Sequence, residues 1–127
     1  MYERTITGLL LVVAVIHLLP ISGFFGVERL TSLYGIEIAD GNLGILMRHR
    51  AMLFGILGGF IAYAAFNPAM QPVAFVAAFI SVASFLFLAS SAGEFNDSIS
   101  KVVIADIVAT VALVGAIVLY VVKSNVK

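Results

Sequence analysis

Ionisable side chains stand inside or beside the long apolar stretches of this sequence. Arg48, His49 and Arg50 stand together where the second stretch opens. His17 comes near the end of the first stretch, and Asp106 lies four residues into the last. Arginine forms strong charge-assisted hydrogen bonds with carboxylates, and imidazole transfers protons or binds metals near neutral pH. These residue types therefore indicate either a structural ion-pair cluster or a site for a polar ligand.

A charged side chain among apolar helices needs a partner. An isolated Arg or Asp in the hydrocarbon zone disfavours insertion by roughly 2.5–3.5 kcal/mol at the centre, and by less near the interface. We therefore predict a bidentate ion pair between Asp106 and either Arg48 or Arg50. The two arginines are about 200° apart on a helix, so only one of them can face Asp106. The other reaches the headgroups or binds an anion.

Four antiparallel helices would collect these residues at one end of a bundle. The first and third helices would run toward that end, and the second and fourth would begin there. The polar residues that follow the third stretch would join the same end. The predicted site consists of Arg48, His49, Arg50, Asp106, His17, Glu94 and Asn96.

The composition requires lipid as the solvent. Of the 127 residues, 62% are hydrophobic and 11% are charged, whereas soluble domains contain about 45–50% apolar and about 25% charged residues. A domain of this size cannot bury such an excess in its own core. The net charge is zero, which gives nucleic acid no electrostatic support as a partner. The absence of Cys excludes disulfides and thiolate-bound metals.

The pattern predicts a single all-α domain over residues 1–127, an integral membrane four-helix bundle with up-down topology. The first stretch follows Arg4, so a signal peptide is its alternative interpretation, although no Ala-x-Ala-like cleavage site follows it. The predicted helices cover about residues 4–21, 43–66, 72–92 and 101–122.

The first connection contains a short amphipathic segment. Val27, Leu30, Leu33 and Tyr34 recur at helical spacing, and Gly35 is a typical helix stop. We predict a short helix lying on the membrane surface, with an unstructured loop as the alternative.

Other local signals concern helix ends and helix packing. Residues 39–42 have the composition of a turn, and Asp97 or Ser98 is the expected cap of the last helix. Gly55 and Gly59 are spaced for close approach of membrane helices. We favour packing inside the bundle over a dimer interface for this pair.

Known catalytic patterns are missing from the sequence. It contains no G-x-S-x-G, H-E-x-x-H or P-loop motif, and no carboxylates paired on one helix face. The half of the bundle opposite the predicted site carries no ionisable residue within its spans, which argues against a proton pump or an ion channel. His17 and His49 leave open a haem site between two helices, because bundles can supply axial ligands in this way.

Two segments carry a family resemblance, residues 33–40 and residues 46–55, which includes the R-H-R-A motif of residues 48–51. They resemble small bacterial four-helix inner-membrane proteins of the DoxX-like group. Some such sequences are labelled phosphopantetheine adenylyltransferase, an activity of a soluble nucleotide-binding fold that nothing in this sequence supports. The resemblance implies a four-helix membrane fold and, by analogy only, quinone-linked or oxidoreductase-accessory roles.

These observations lead to one expected function and one alternative. We expect a protein with a polar pocket at one membrane face that binds a lipid headgroup, a quinone or another small amphiphile. It could instead be an accessory subunit of a membrane complex, and it could also self-associate. The alternative is a haem- or quinone-linked redox or enzymatic component that uses His17 and His49. The expected location is a bacterial inner membrane with cytoplasmic termini. Arg4, Lys123 and Lys127 share the side of the termini, and they outnumber Arg29 and Lys101 on the other side if Arg48 and Arg50 are counted as site residues.

Overall fold

The apolar stretches form long helices, because a backbone in lipid must satisfy its hydrogen bonds internally. The computed structural model describes residues 2–126. In this range four helical segments are long and apolar enough to cross a membrane, which confirms an all-α, multi-pass bundle. The α-helices are α1 (Tyr2–Leu18), α2 (Val27–Tyr34), α3 (Gly41–Ala65), α4 (Gln71–Ala92) and α5 (Asp97–Val126).

The first span changes helix type before it ends. Helix α1 stops at Leu18, and a 3-10 helix continues from Leu19 to Phe25. Pro20 explains the change, because its ring excludes an α-helical hydrogen bond to the preceding turn. The 3-10 segment brings the buried Gly23 against Leu30 of α2.

The short amphipathic helix is present and ends at the predicted stop. Helix α2 ends at Gly35, which has a φ of 66° and whose N–H donates to Thr31 O at 2.8 Å. Leu30 and Tyr34 are buried, and α2 packs against the 3-10 segment, α3 and α5. It therefore lies across one end of the bundle.

All four long helices begin before their predicted first residues, and side-chain caps account for two of these starts. The side chain of Asp40 caps α3 by accepting a hydrogen bond from Asn42 N at 3.0 Å, so residues 39–42 are a helix start rather than a separate turn. Helix α5 begins at Asp97, and its cap is Asn96, whose Oδ1 accepts from Ile99 N at 2.7 Å. The prediction of Asp97 or Ser98 as the cap was wrong by one or two residues.

The long helices form a ring in which α1 packs against α3 and α5, while α4 packs against α5 and α3. Contacts show that α1 and α3 are antiparallel. A Cβ built at Gly58 would lie 2.7 Å from Leu18 Cγ, near the end of α1, whereas Thr7 near its start donates to Ala65 O at 2.7 Å.

The predicted glycine pair divides between two environments. Gly55 contacts Ile21 inside the bundle, whereas Gly59 has no neighbouring side chain within 4 Å of a built Cβ. Large apolar side chains cover the outer surface, including Val76 and Val111. An apolar exterior of this kind is compatible with lipid.

Candidate functional site

A cavity of about 560 Å³ lies at the end of the bundle that α2 covers. All five α-helices and the 3-10 segment contribute to its wall. Its apolar lining includes Ile16, Leu19, Pro20, Leu33, Phe54, Phe85, Val102 and Ala105. Its polar lining consists of His17, Ser22, Arg29, Ser32, Tyr34, Arg50, Ser98, Lys101 and Asp106.

Arg50 is the arginine of the R-H-R segment that reaches this cavity. Its Nη1 donates to the hydroxyl of buried Tyr34 at 2.8 Å. Its guanidinium lies 4.6 Å from the ring centroid of Phe54 and 5.5 Å from that of Tyr34. Arginine stacks on aromatic faces more readily than lysine does, because its planar cation is weakly hydrated. Tyr34 and Phe54 therefore hold the Arg50 guanidinium in place on the cavity wall.

Asp106 lines the same cavity as Arg50, but the predicted bidentate ion pair is wrong. Within residues 2–126, Asp106 forms no ion pair with Arg48 or Arg50. The reason is that Arg50 is bound by Tyr34 and Phe54, so its charge acts on Asp106 from a longer distance. Asp106 is half-buried, and its carboxylate faces a cavity with several cations.

Arg48 and His49 point away from the cavity. Arg48 Nε donates to the backbone oxygen of Phe24 at 2.8 Å, and its guanidinium lies 5.7 Å from the Phe24 ring. This contact fastens α3 to the end of the 3-10 segment. His49 is exposed and does not line the cavity. Helical rotation separates these residues from Arg50, although they are adjacent in sequence.

His17 is a buried part of the cavity wall, 2% exposed. Its Nδ1 lies 2.9 Å from the carbonyl oxygen of Val13 and must carry the proton, because a carbonyl only accepts. In the neutral ring Nε2 then accepts from the hydroxyl of Ser81 on α4, at 3.0 Å. Both nitrogens are thus bonded within the protein, and His17 and His49 do not share the cavity.

Glu94 and Asn96, the loop residues of the predicted site, lie outside the cavity lining. Glu94 is exposed. Asn96 Nδ2 donates to the backbone oxygens of Tyr34 at 2.9 Å and Gly35 at 3.1 Å. Because its Oδ1 also caps α5, Asn96 connects the end of α2 to the start of α5. It positions Tyr34 and does not face the cavity itself.

Several polar residues of the cavity were not among the predicted site residues. Ser98 and Lys101 lie on the same face of α5 as Asp106, at the i, i+3 and i+8 positions of a helix. That spacing could have identified them. Arg29 and Ser32 likewise occupy one face of α2. Whether Arg29 and Ser32 line the cavity depends on how α2 is placed across the bundle, and sequence spacing alone does not determine that placement.

Metal binding has little support in this arrangement. Among residues 2–126 there is no group of three or more His, Asp or Glu side chains arranged to hold a metal ion. The charges of the cavity lining are instead mainly positive, with Arg29, Arg50 and Lys101 against Asp106. The arrangement can hold an acidic group next to an apolar body.

Comparison with protein-family models, with curated proteins and with solved structures finds no match to this chain. The DoxX-like relationship therefore stays a prediction from the two sequence segments that carry it.

Proposed function

We propose that this protein binds an anionic amphiphile in the cavity beneath α2. The observation that carries the proposal is the excess of cations in the lining, three against one carboxylate. A positive excess attracts an acidic group, and the attraction is stronger where water is partly excluded. Guanidinium N–H groups also match the oxygen atoms of a carboxylate or phosphate in geometry.

The apolar part of the lining supports a ligand with a hydrocarbon body. Ligand sites are typically concave and mainly apolar, with a few polar groups that orient the ligand. Leu19 lines the cavity and is 59% exposed, so the cavity is not closed off at this residue. A hydrocarbon tail could therefore extend from the cavity to the lipid while its acidic head stays near Arg29, Arg50 and Lys101.

An acidic lipid headgroup or a fatty acid fits this charge distribution better than the other expected ligands. A neutral quinone would leave the excess of positive charge without a counter-charge. The haem-linked alternative has less support, because His49 is outside the cavity and both nitrogens of His17 are bonded.

The proposal is tested with an acid and its methyl ester, which share the hydrocarbon chain and differ in head-group charge and by one methyl group. We expect purified protein in mild detergent to bind radiolabelled oleate at least about tenfold more tightly than neutral methyl oleate, a difference of about 1.4 kcal/mol. The variant Arg29→Gln/Lys101→Gln should lose most of this preference. Arg48→Gln should keep it, because Arg48 is an arginine of the same end that does not line the cavity.

Equal binding of oleate and its ester by the wild-type protein would contradict the proposal, as would an equal loss in Arg48→Gln. A chromophore that co-purifies with the protein would favour the redox alternative instead. A protein partner that co-purifies with an empty cavity would favour the accessory role.

We further propose a bacterial inner membrane as the location, with cytoplasmic termini. Support comes from the basic residues that are left once the cavity side chains are assigned to a ligand. Lys123 lines the second cavity described below, so the sequence leaves Arg4 and Lys127 at the end with the termini and Arg48 at the other. Cytoplasmic ends carry the excess of Lys and Arg in such proteins.

A further inference from the structure

A second, smaller cavity of about 290 Å³ lies at the opposite end of the bundle, between the start of α1, the α3–α4 connection and the end of α5. Glu3 of α1 and Lys123 of α5 line it. Both residues lie just outside the predicted spans 4–21 and 101–122, within which the sequence predicted no ionisable residue at this end.

The side chain of Gln71 is the main unusual feature of this cavity. Gln71 is 3% exposed, and its Nε2 donates to the backbone oxygen of Ala64 at 3.1 Å. Its Oε1 is buried and has no hydrogen-bond partner within residues 2–126. Rotating the amide by 180° would only place Oε1 against the Ala64 oxygen. A buried acceptor without a donor is destabilising. Gln71 lines the cavity, so a small turn of its amide toward the cavity would let a bound molecule supply that donor.

Neighbouring protein groups are poorly suited to supply that donor. The Thr7 hydroxyl has one hydrogen, and it is used on the backbone oxygens of Glu3 and Ala65, at 2.9 and 2.7 Å. Lys123 Nζ lies 3.9 Å from a Glu3 carboxylate oxygen and 5.5 Å from the Tyr120 ring centroid. This ion pair is long, and an ammonium group has three donors. Lys123 can therefore also bind an external acceptor.

The geometry points to a second lipid site here, which takes a phosphodiester headgroup that carries its own hydrogen-bond donor. Lys123 would hold the phosphate, and the headgroup donor would satisfy Gln71 Oε1. An ethanolamine ammonium or a glycerol hydroxyl supplies such a donor, whereas the quaternary ammonium of choline has no N–H. Phe66 lines the cavity and is 71% exposed, so acyl chains can continue along the apolar outer surface.

The site is independent of the cavity beneath α2, and the test uses a headgroup methylation series. Protein in lipid nanodiscs is exchanged with phosphatidylethanolamine, its N-methyl and N,N-dimethyl derivatives, phosphatidylcholine and phosphatidylglycerol, and retained lipid is counted by native mass spectrometry. We expect retention to persist through the dimethyl derivative, which keeps one N–H, and to fall about tenfold at phosphatidylcholine. Comparison of phosphatidylethanolamine with phosphatidylglycerol distinguishes ammonium from hydroxyl as the donor.

The variant Gln71→Met tests whether the fall in retention at phosphatidylcholine, called the step below, arises at this site. Methionine has a similar length but no amide, and the Ala64 oxygen keeps its bond from Asn67 N at 3.0 Å. The step at phosphatidylcholine should disappear in Gln71→Met and persist in Arg29→Gln/Lys101→Gln. Lys123→Gln should lower retention of all the phosphodiester lipids.

Either of two results overturns the inference. One is a wild-type protein that retains phosphatidylcholine as well as phosphatidylethanolamine, which would mean that water alone satisfies Gln71. The other is a step that survives Gln71→Met, which would place the recognition elsewhere. The methylation series in wild-type protein gives an answer even if a variant fails to fold.

Discussion

Arg50 shows how a cation can be accommodated in this bundle without a carboxylate partner. Its guanidinium shares a hydrogen bond with Tyr34 and an aromatic face with Phe54. Cation–π contacts contribute about 0.5–2 kcal/mol, and the larger values belong to desolvated pairs. Arginine has five N–H donors, so this arrangement leaves donors for a ligand in the cavity. Asn96 helps to position Tyr34, because its side-chain amide donates a hydrogen bond to the backbone oxygen of Tyr34.

Tyr34→Phe tests this arrangement at the level of one atom. The substitution keeps the ring and removes the hydroxyl that accepts from Arg50. We expect a loss of about 1.5–3 kcal/mol in the free energy of unfolding, typical of a hydrogen bond to a charged group. Unfolding by SDS titration from mild detergent measures it.

Tyr63→Phe is the matched control, because its hydroxyl accepts from Asn67 on an exposed surface at the other end of the bundle. A Tyr34→Phe protein as stable as Tyr63→Phe would show that the Tyr34–Arg50 bond contributes nothing.

At the scale of helices, small residues bring α1 and α3 close together. A Cβ at Gly58 would lie 2.7 Å from Leu18 Cγ and 3.1 Å from the backbone oxygen of Ala14. The backbone oxygen cannot move aside as a side chain can. Packing of this kind stabilises membrane helices, for which lipid supplies no hydrophobic drive toward association. Gly58 thus fixes one face of α3 against α1, and in this arrangement Arg50 lies on the cavity wall.

Gly58→Leu and Gly59→Leu form a matched pair on one helix. We expect Gly58→Leu to lower the free energy of unfolding by about 1–3 kcal/mol or to prevent folding, because it overpacks the α1–α3 contact. Gly59→Leu should change it by less than about 0.5 kcal/mol, because its Cβ points to open space. SDS titration and folded yield measure both, and equal effects would contradict the placement of α3.

At the scale of the molecule, the two ends of the bundle differ in charge. One end carries the cavity with its excess of cations, and the other carries the ion pair of Glu3 and Lys123 beside a neutral amide. If both cavities bind lipid as proposed, they select different headgroups at opposite faces of the membrane. The orientation of the chain then decides which leaflet each site samples.

The proposed orientation can be tested by single-cysteine labelling, because the natural sequence contains no Cys. Glu94 and Asn125 are exposed residues at opposite ends of the bundle and lie outside both cavities. With cytoplasmic termini, a membrane-impermeant maleimide should label Glu94→Cys in intact cells. It should label Asn125→Cys only after the membrane is permeabilised, and the reverse pattern would mean that the termini face outward.

Composition and spacing by themselves determined the class of this protein. Apolar stretches of spanning length specify membrane helices whatever their neighbours are, and Gly35 marks the end of α2 because a left-handed residue stops a helix locally. The concentration of ionisable residues at one end also follows from helix order. These features depend on local chemistry and on chain direction, which a sequence records directly.

Only the tertiary structure decided which of these residues face one another. Spacing indicates that Arg48 and Arg50 diverge, but the packing of α3 against its neighbouring helices decides which arginine turns inward. The tertiary structure likewise brings Arg29 of α2 onto the cavity and Gln71 beside Lys123 at the other end. The physical reason is that periodicity defines angles within a helix, whereas the rotation of each helix in the bundle is set by packing against its neighbours.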